Sequence, residues 1–84
     1  MQEQSLSIQE AKYLGNYVLR VYFSSNEAKD IDFSKAFKKL KGYYAKYAEI
    51  ENFKKFKVEN GNLVWGEDWD VIFPVWDIYT GKIN

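Results

Sequence analysis

The side chains able to do chemistry in this sequence are of three kinds: carboxylates, lysines and aromatic rings. The densest acid group is Glu67-Asp68 with Asp70, set around Trp69 in GEDWD. Paired carboxylates can divide acid and base roles in glycoside hydrolysis, and oxygen ligands suit a hard cation such as calcium. The spacing here matches neither a calcium loop nor a hydrolase motif. Glu67-Asp68 also falls in a turn, where acids commonly bond the local backbone. The structural reading of these acids is therefore preferred. Asp30 and Asp32 alternate with Ile31 and Phe33, so they face solvent on a strand. Asp32 is also placed to favour the positive end of a helix starting near Ser34.

Other chemistry is excluded by composition. The chain has no histidine and no cysteine, which removes the usual neutral-pH base, the commonest metal ligand and the thiolate nucleophile. Ser5, Ser7, Ser24, Ser25 and Ser34 therefore have no histidine partner for a nucleophilic triad. GNLVWG lacks the Gly-Lys-Ser/Thr of a phosphate-cradling loop. The expectation is a chain without catalytic residues, metal ligands or cofactor.

The lysines gather in SKAFKKLKGYYAKYAEIENFKKFK, residues 34–57, where eight lysines meet two glutamates for a balance of +6. Residues 1–33 carry −2 and residues 58–84 carry −4, so the whole chain is neutral. Lysines interleaved with rings are what a nucleic-acid binder uses, through phosphate attraction and base stacking. Lys35, Lys38, Lys39, Lys41 and Lys46 would be its contacts. Against it, Phe37, Leu40, Tyr44 and Tyr47 recur at helical spacing and read first as a core face. Arg20 is also the lone arginine. Nucleic acid is thus a possible partner but not the favoured one, and a solvated lysine face is the simpler reading.

The elements that must hold these residues follow from periodicity. SIQEAKY, residues 7–13, reads as a strand leading to a Gly15-Asn16 turn. Residues 16–23 alternate strongly, with Tyr17, Leu19, Val21 and Phe23 on one face. After a Ser24-Ser25-Asn26 turn, residues 27–33 return as a third strand, which completes a meander. Ser34 then suits a helix N-cap. Gly42 interrupts the helical pattern, so two short helices are expected, at about 34–41 and about 46–55. Residues 56–59 and Leu63–Trp65 flank an Asn60-Gly61-Asn62 hairpin turn. Trp69–Phe73 is a last extended piece, and Pro74 and Gly81 bracket a final helix. The result is a single α+β domain over 1–84. Its sheet is mainly antiparallel, an N-terminal β-meander plus a C-terminal hairpin, with two or three short helices packed on one face.

The order DIDFSKAF, helical region, YAEIENFKKFKVENGNLVW and then Asp70 resembles the family called domain of unknown function 2442. Asp32, Phe53, Val58, Gly61, Trp65, Asp70 and Tyr79 fill the places of that pattern, over roughly residues 8–79. Gly66 stands where the family usually has proline, Ile78 where leucine is usual, and the segment from Asp70 to Tyr79 is longer than usual. The resemblance implies a small bacterial α+β domain with no established activity. Some relatives carry a following helix-turn-helix or neighbour toxin–antitoxin-like partners. The chain to Asn84 reads as lacking room for such a DNA reader, so the implied role is that of an adaptor or an antitoxin-like protein.

Trp65 is expected in the core. Trp69 and Trp76 are not both expected to be hidden, because a chain this small rarely buries every ring it carries. An exposed tryptophan beside Asp68 would make a protein-binding patch. The favoured function is a non-catalytic interaction or adaptor module, partnered by another protein or by its own copy. Trp69, Trp76, Asp68, Lys35, Lys38 and Lys39 are its candidate contacts. The N-terminal residues MQEQSLSIQEAKYLG lack a signal peptide's basic and apolar regions, and no apolar run is long enough to span a bilayer. Without disulfides, a cytoplasmic location is expected.

Overall fold

The computed structural model describes residues 6–83, so Ser5 and the start of the N-terminal segment lie outside the described part. The expected meander forms from β1 (Ile8–Gly15), β2 (Val18–Phe23) and β3 (Ala28–Asp32), antiparallel in the order β1-β2-β3. Leu19, Val21 and Phe23 point inward and are buried. Arg20 faces outward, where it grips Asp30 in a forked, exposed ion pair (2.7 and 3.1 Å). The first turn sits one residue later than the sequence suggested. Asn16 and Tyr17 carry its two positive φ angles, 52° and 66°. Tertiary contact explains the shift. In this position the Tyr17 ring meets Phe53 edge-on at 5.1 Å, and its hydroxyl donates to the Ala48 carbonyl.

The helical middle departs most from expectation. α1 spans only Ser34–Lys38. Ser34 is not the cap: its side chain caps nothing, and its N–H instead donates to Asp32 Oδ1 at 2.9 Å. That bond holds the Asp32 carboxyl below its ordinary pKa. The expected helix at 46–55 is replaced by a 3₁₀ segment, Gly42–Ala48, and a one-turn helix, α2 (Ile50–Phe53). Extended backbone at Glu49 separates them. A continuous α-helix would set residues 47 and 53 about 120° apart around its axis. The break lets both Tyr47 and Phe53 reach the interior, where both are buried. Tyr44, expected to be inward, is exposed and stacks edge-on with Tyr43.

The second half forms its own antiparallel sheet from β4 (Lys57–Glu59), β5 (Asn62–Trp65) and β6 (Val71–Phe73), in that order. The six strands thus form two three-stranded sheets. The β4–β5 turn locks onto the first sheet through Ile8 N–H and Gly61 O, 2.8 Å apart. The last extended piece begins at Val71, not Trp69, because Trp69 turns the chain with φ 57°. α3 (Val75–Thr80) follows Pro74, and the Asn62 side chain accepts the Val75 N–H at 2.8 Å. Tyr79 on α3 packs edge-on against Phe23 at 5.2 Å, which ties the C-terminus back to the meander.

Between the sheets lies an aromatic core. Trp65 is completely buried against Phe33, Phe37, Phe53, Phe56 and Phe73. Its indole N–H donates to the Phe53 carbonyl at 2.8 Å, which satisfies the one polar atom it brings inside. The fold is α+β. Among the described residues no helix is long and apolar enough to cross a membrane.

Candidate functional site

The break in the helical middle and the turn after β5 together build a cleft of about 510 Å³. One wall comes from the 3₁₀ segment and the chain that follows it, with Tyr43, Lys46, Tyr47, Asn52, Lys55 and Lys57. The opposite wall is the turn carrying Gly66, Glu67, Asp68 and Asp70. Asp70 anchors the arrangement. Its Oδ2 accepts the Tyr47 hydroxyl at 2.7 Å and the Tyr43 hydroxyl at 3.1 Å. The sequence placed Asp70 in a local backbone role, but its partners are phenols from another part of the chain. Gly66 makes this approach possible: a Cβ there would fall 2.6 Å from the Tyr47 hydroxyl and 2.9 Å from Asp70 Oδ2.

The hydrogen bond to Asp70, then burial, then the carboxylate charge push the Tyr47 phenol up to about 12. Tyr47 therefore remains a donor through the neutral range and fixes the carboxylate in place. The sign of the resulting pH dependence follows. A phenol whose folded pKa lies above its unfolded value of 10.0 stabilises the fold fully below that value. The contribution is lost as pH rises from about 10 through about 12. Asp70→Asn should lower the Tyr47 pKa toward the ordinary value and flatten this alkaline loss of stability. Ultraviolet titration of the phenols, with thermal melts over the same pH range, measures both effects. The neutral-pH cost of the variant should be on the order of 1 kcal/mol, because the asparagine amide oxygen still accepts a phenol but without the carboxylate's charge.

The candidate residues divide between surfaces. Asp68 lines the cleft and is exposed. Trp69, 43% exposed, leaves the turn over the outer face of the second sheet, where its indole N–H donates to Glu59 Oε1 at 2.6 Å. Glu59 also pairs with Lys57 at 3.3 Å, which joins the rim of the cleft to that face. On it, Val64 is buried and stands opposite exposed Ile72 in the ladder. Trp76, 50% exposed, sits on α3 and meets Tyr79 edge-on at 5.7 Å. Lys35 and Lys38 on α1, and Lys39 at its end, are exposed and lie outside the cleft. Lys41 is exposed as well, whereas Lys46 lies over the Tyr43 ring at 4.2 Å. Sequence reasoning missed the phenols of Tyr43 and Tyr47. They meet Asp70 across 27 and 23 residues, and no local spacing could have signalled that pairing.

A model of the family described as Protein of unknown function (DUF2442) matches residues 8–82. The chain belongs to that family. No curated protein and no solved structure matches it. Several positions that carried the resemblance to DUF2442 hold this domain together. Asp32 receives the N–H that starts α1, and Gly61 joins the sheets. Trp65 bonds to the Phe53 carbonyl, and Asp70 gathers the two tyrosines.

Proposed function

We propose that this DUF2442 domain is a non-catalytic protein-interaction module that binds through the edge of its second sheet, with a second copy of the chain as the simplest partner. The observation that carries the reading is the placement of Trp69 and Ile72. Both are 43% exposed: Ile72 on β6, an edge strand of the β4-β5-β6 sheet, and Trp69 in the turn that leads into it, with its indole reaching Glu59 of β4. An unpaired strand edge is a template for another strand, and a tryptophan beside it supplies the kind of anchor that dominates interface energies. Trp69 holds this position with a left-handed backbone, which is costly for a bulky residue. Core packing does not explain that cost, because the indole is at the surface. Two copies related by a twofold axis would pair β6 with β6 and set Ile72 near Ile72.

The protein reading is favoured over nucleic acid because three of the eight lysines of the basic stretch, Lys46, Lys55 and Lys57, line a cleft shared with carboxylates, while Lys35, Lys38, Lys39 and Lys41 are exposed as a solvated lysine face would be. An adaptor or antitoxin-like role is compatible with the same edge, with another protein in place of the second copy. Sedimentation velocity across micromolar concentrations tests the simplest case. The wild type should shift from monomer toward dimer, and Trp69→Ala and Ile72→Lys should each stay monomeric while melting within a few degrees of the wild type. A wild type that is monomeric throughout would overturn the self-association.

A further inference from the structure

The charge segregation in the sequence has a structural counterpart in the cleft. All three lysines lining it, Lys46, Lys55 and Lys57, come from the basic stretch 34–57, and all three carboxylates, Glu67, Asp68 and Asp70, come from the acidic C-terminal stretch. The two walls meet where the Tyr43 and Tyr47 hydroxyls donate to Asp70, but their opposite charges are not paired. Among the described residues no ammonium–carboxylate pair within 4.0 Å spans the cleft, and Lys57 pairs instead with Glu59 on its own strand. Lys46 rests over the Tyr43 and Tyr47 rings at 4.2 and 5.3 Å. Among the described residues, opposite charges that share the cleft without pairing leave a complementary field open to a guest.

The space has the size of a small-molecule site, about 510 Å³. Its lining contains no purely aliphatic residue, and its apolar surface comes from the tyrosine rings and lysine stems, so the charged groups set what it selects. Asp70 is the most fixed of the charged groups. Two phenols hold its Oδ2, and a Cβ at Gly66 would have to displace both the Tyr47 hydroxyl and the carboxylate. A fixed carboxylate with Glu67 and Asp68 beside it suits a cation with several N–H groups. The lysine wall suits an anion at the other end of the same molecule.

We propose that this cleft binds a small dipolar molecule, with a guanidinium or ammonium end against Asp70, Glu67 and Asp68 and a carboxylate end against Lys55 and Lys57. None of the residues lining the cleft is on β6, so the site stands whether or not the chain self-associates.

Titrations followed by amide NMR at constant ionic strength test it, with three probes. L-Arginine carries both ends, agmatine has a cation at each end and no carboxylate, and butyrate has only the anionic end. L-Arginine should give saturable shifts confined to residues 43–57 and 66–70, with a Kd of about 1 mM or tighter. Agmatine and butyrate should each bind about tenfold more weakly. Lys55→Gln should weaken arginine about tenfold and leave agmatine unchanged, whereas Asp70→Asn should weaken both. The dispersion of the amide spectrum shows that each variant is folded, and Lys55 is exposed, so its replacement leaves the core intact. Absence of saturable shifts with L-arginine to about 10 mM would overturn the proposal. So would equal binding of arginine and agmatine, since the lysine wall would then contribute nothing.

Discussion

Trp65→Ala is expected to leave the chain largely unfolded at room temperature. The side chain is fully buried and contacts five other rings, the nearest being Phe37 at 4.8 Å. Removing it opens a cavity bounded by rigid aromatics from α1, α2 and β6 and by Phe33 and Phe56, which cannot collapse inward as flexible aliphatic chains can. The Phe53 carbonyl also loses its indole donor inside the core. Large aromatic deletions in cores cost about 3–5 kcal/mol, comparable to the whole stability of a small domain. Circular dichroism melts should show no cooperative transition, or one far below that of the wild type. A conservative Trp65→Phe should retain a cooperative melt, because it keeps most of the buried area while giving up the hydrogen bond. If Trp65→Ala melts like the wild type, the aromatic cluster is not what holds the two sheets together.

The core and the order of strands were legible because they rest on local alternation. Leu19, Val21 and Phe23 declare one face of β2, and Leu63 and Trp65 one face of β5, without reference to anything distant. Asn60-Gly61 likewise marks its own turn. What was not legible depends on contacts between distant segments. The Asn16-Tyr17 turn is displaced by one residue because Tyr17 reaches Phe53 and Ala48. The middle region breaks at Glu49 because Tyr47 and Phe53 must both point inward. For the site, the sequence showed the ingredients but not their meeting. The opposite charges of the two stretches were visible, as were the exposed tryptophans beside acids. That the two stretches form opposing walls, with Asp70 held by Tyr43 and Tyr47, is a property of the folded chain. The division into two sheets is equally non-local, since it depends on where β1 meets the β4–β5 turn.

That meeting point gives the second large expectation. Gly61→Ala should destabilise the domain by about 2–5 kcal/mol through two effects acting together. The first is conformational: Gly61 has φ 78°, a left-handed backbone that costs a residue with a Cβ about 1–2 kcal/mol. The second is steric. A Cβ at Gly61 would fall 2.6 Å from Ser7 Cβ and 3.3 Å from Ser7 Cα, and forced overpacking costs about 1–3 kcal/mol. Backbone is among the atoms in the way, so a change of rotamer does not relieve the clash. The β4–β5 turn must instead retreat from the first sheet. Retreat would stretch the bond from Ile8 N–H to Gly61 O, the main-chain link between the two halves. Asn60→Ala distinguishes the two effects. It meets the same left-handed requirement, with φ 52°, but Asn60 is exposed. It should cost only the conformational share, about 1 kcal/mol. Hydrogen exchange adds the localising measurement: in Gly61→Ala the Ile8 amide should lose protection out of proportion to the amides of β2. Equal melting temperatures for the two variants would show that the sheets are not packed against each other at Gly61, and that the conformational cost of the turn is all that glycine spares there.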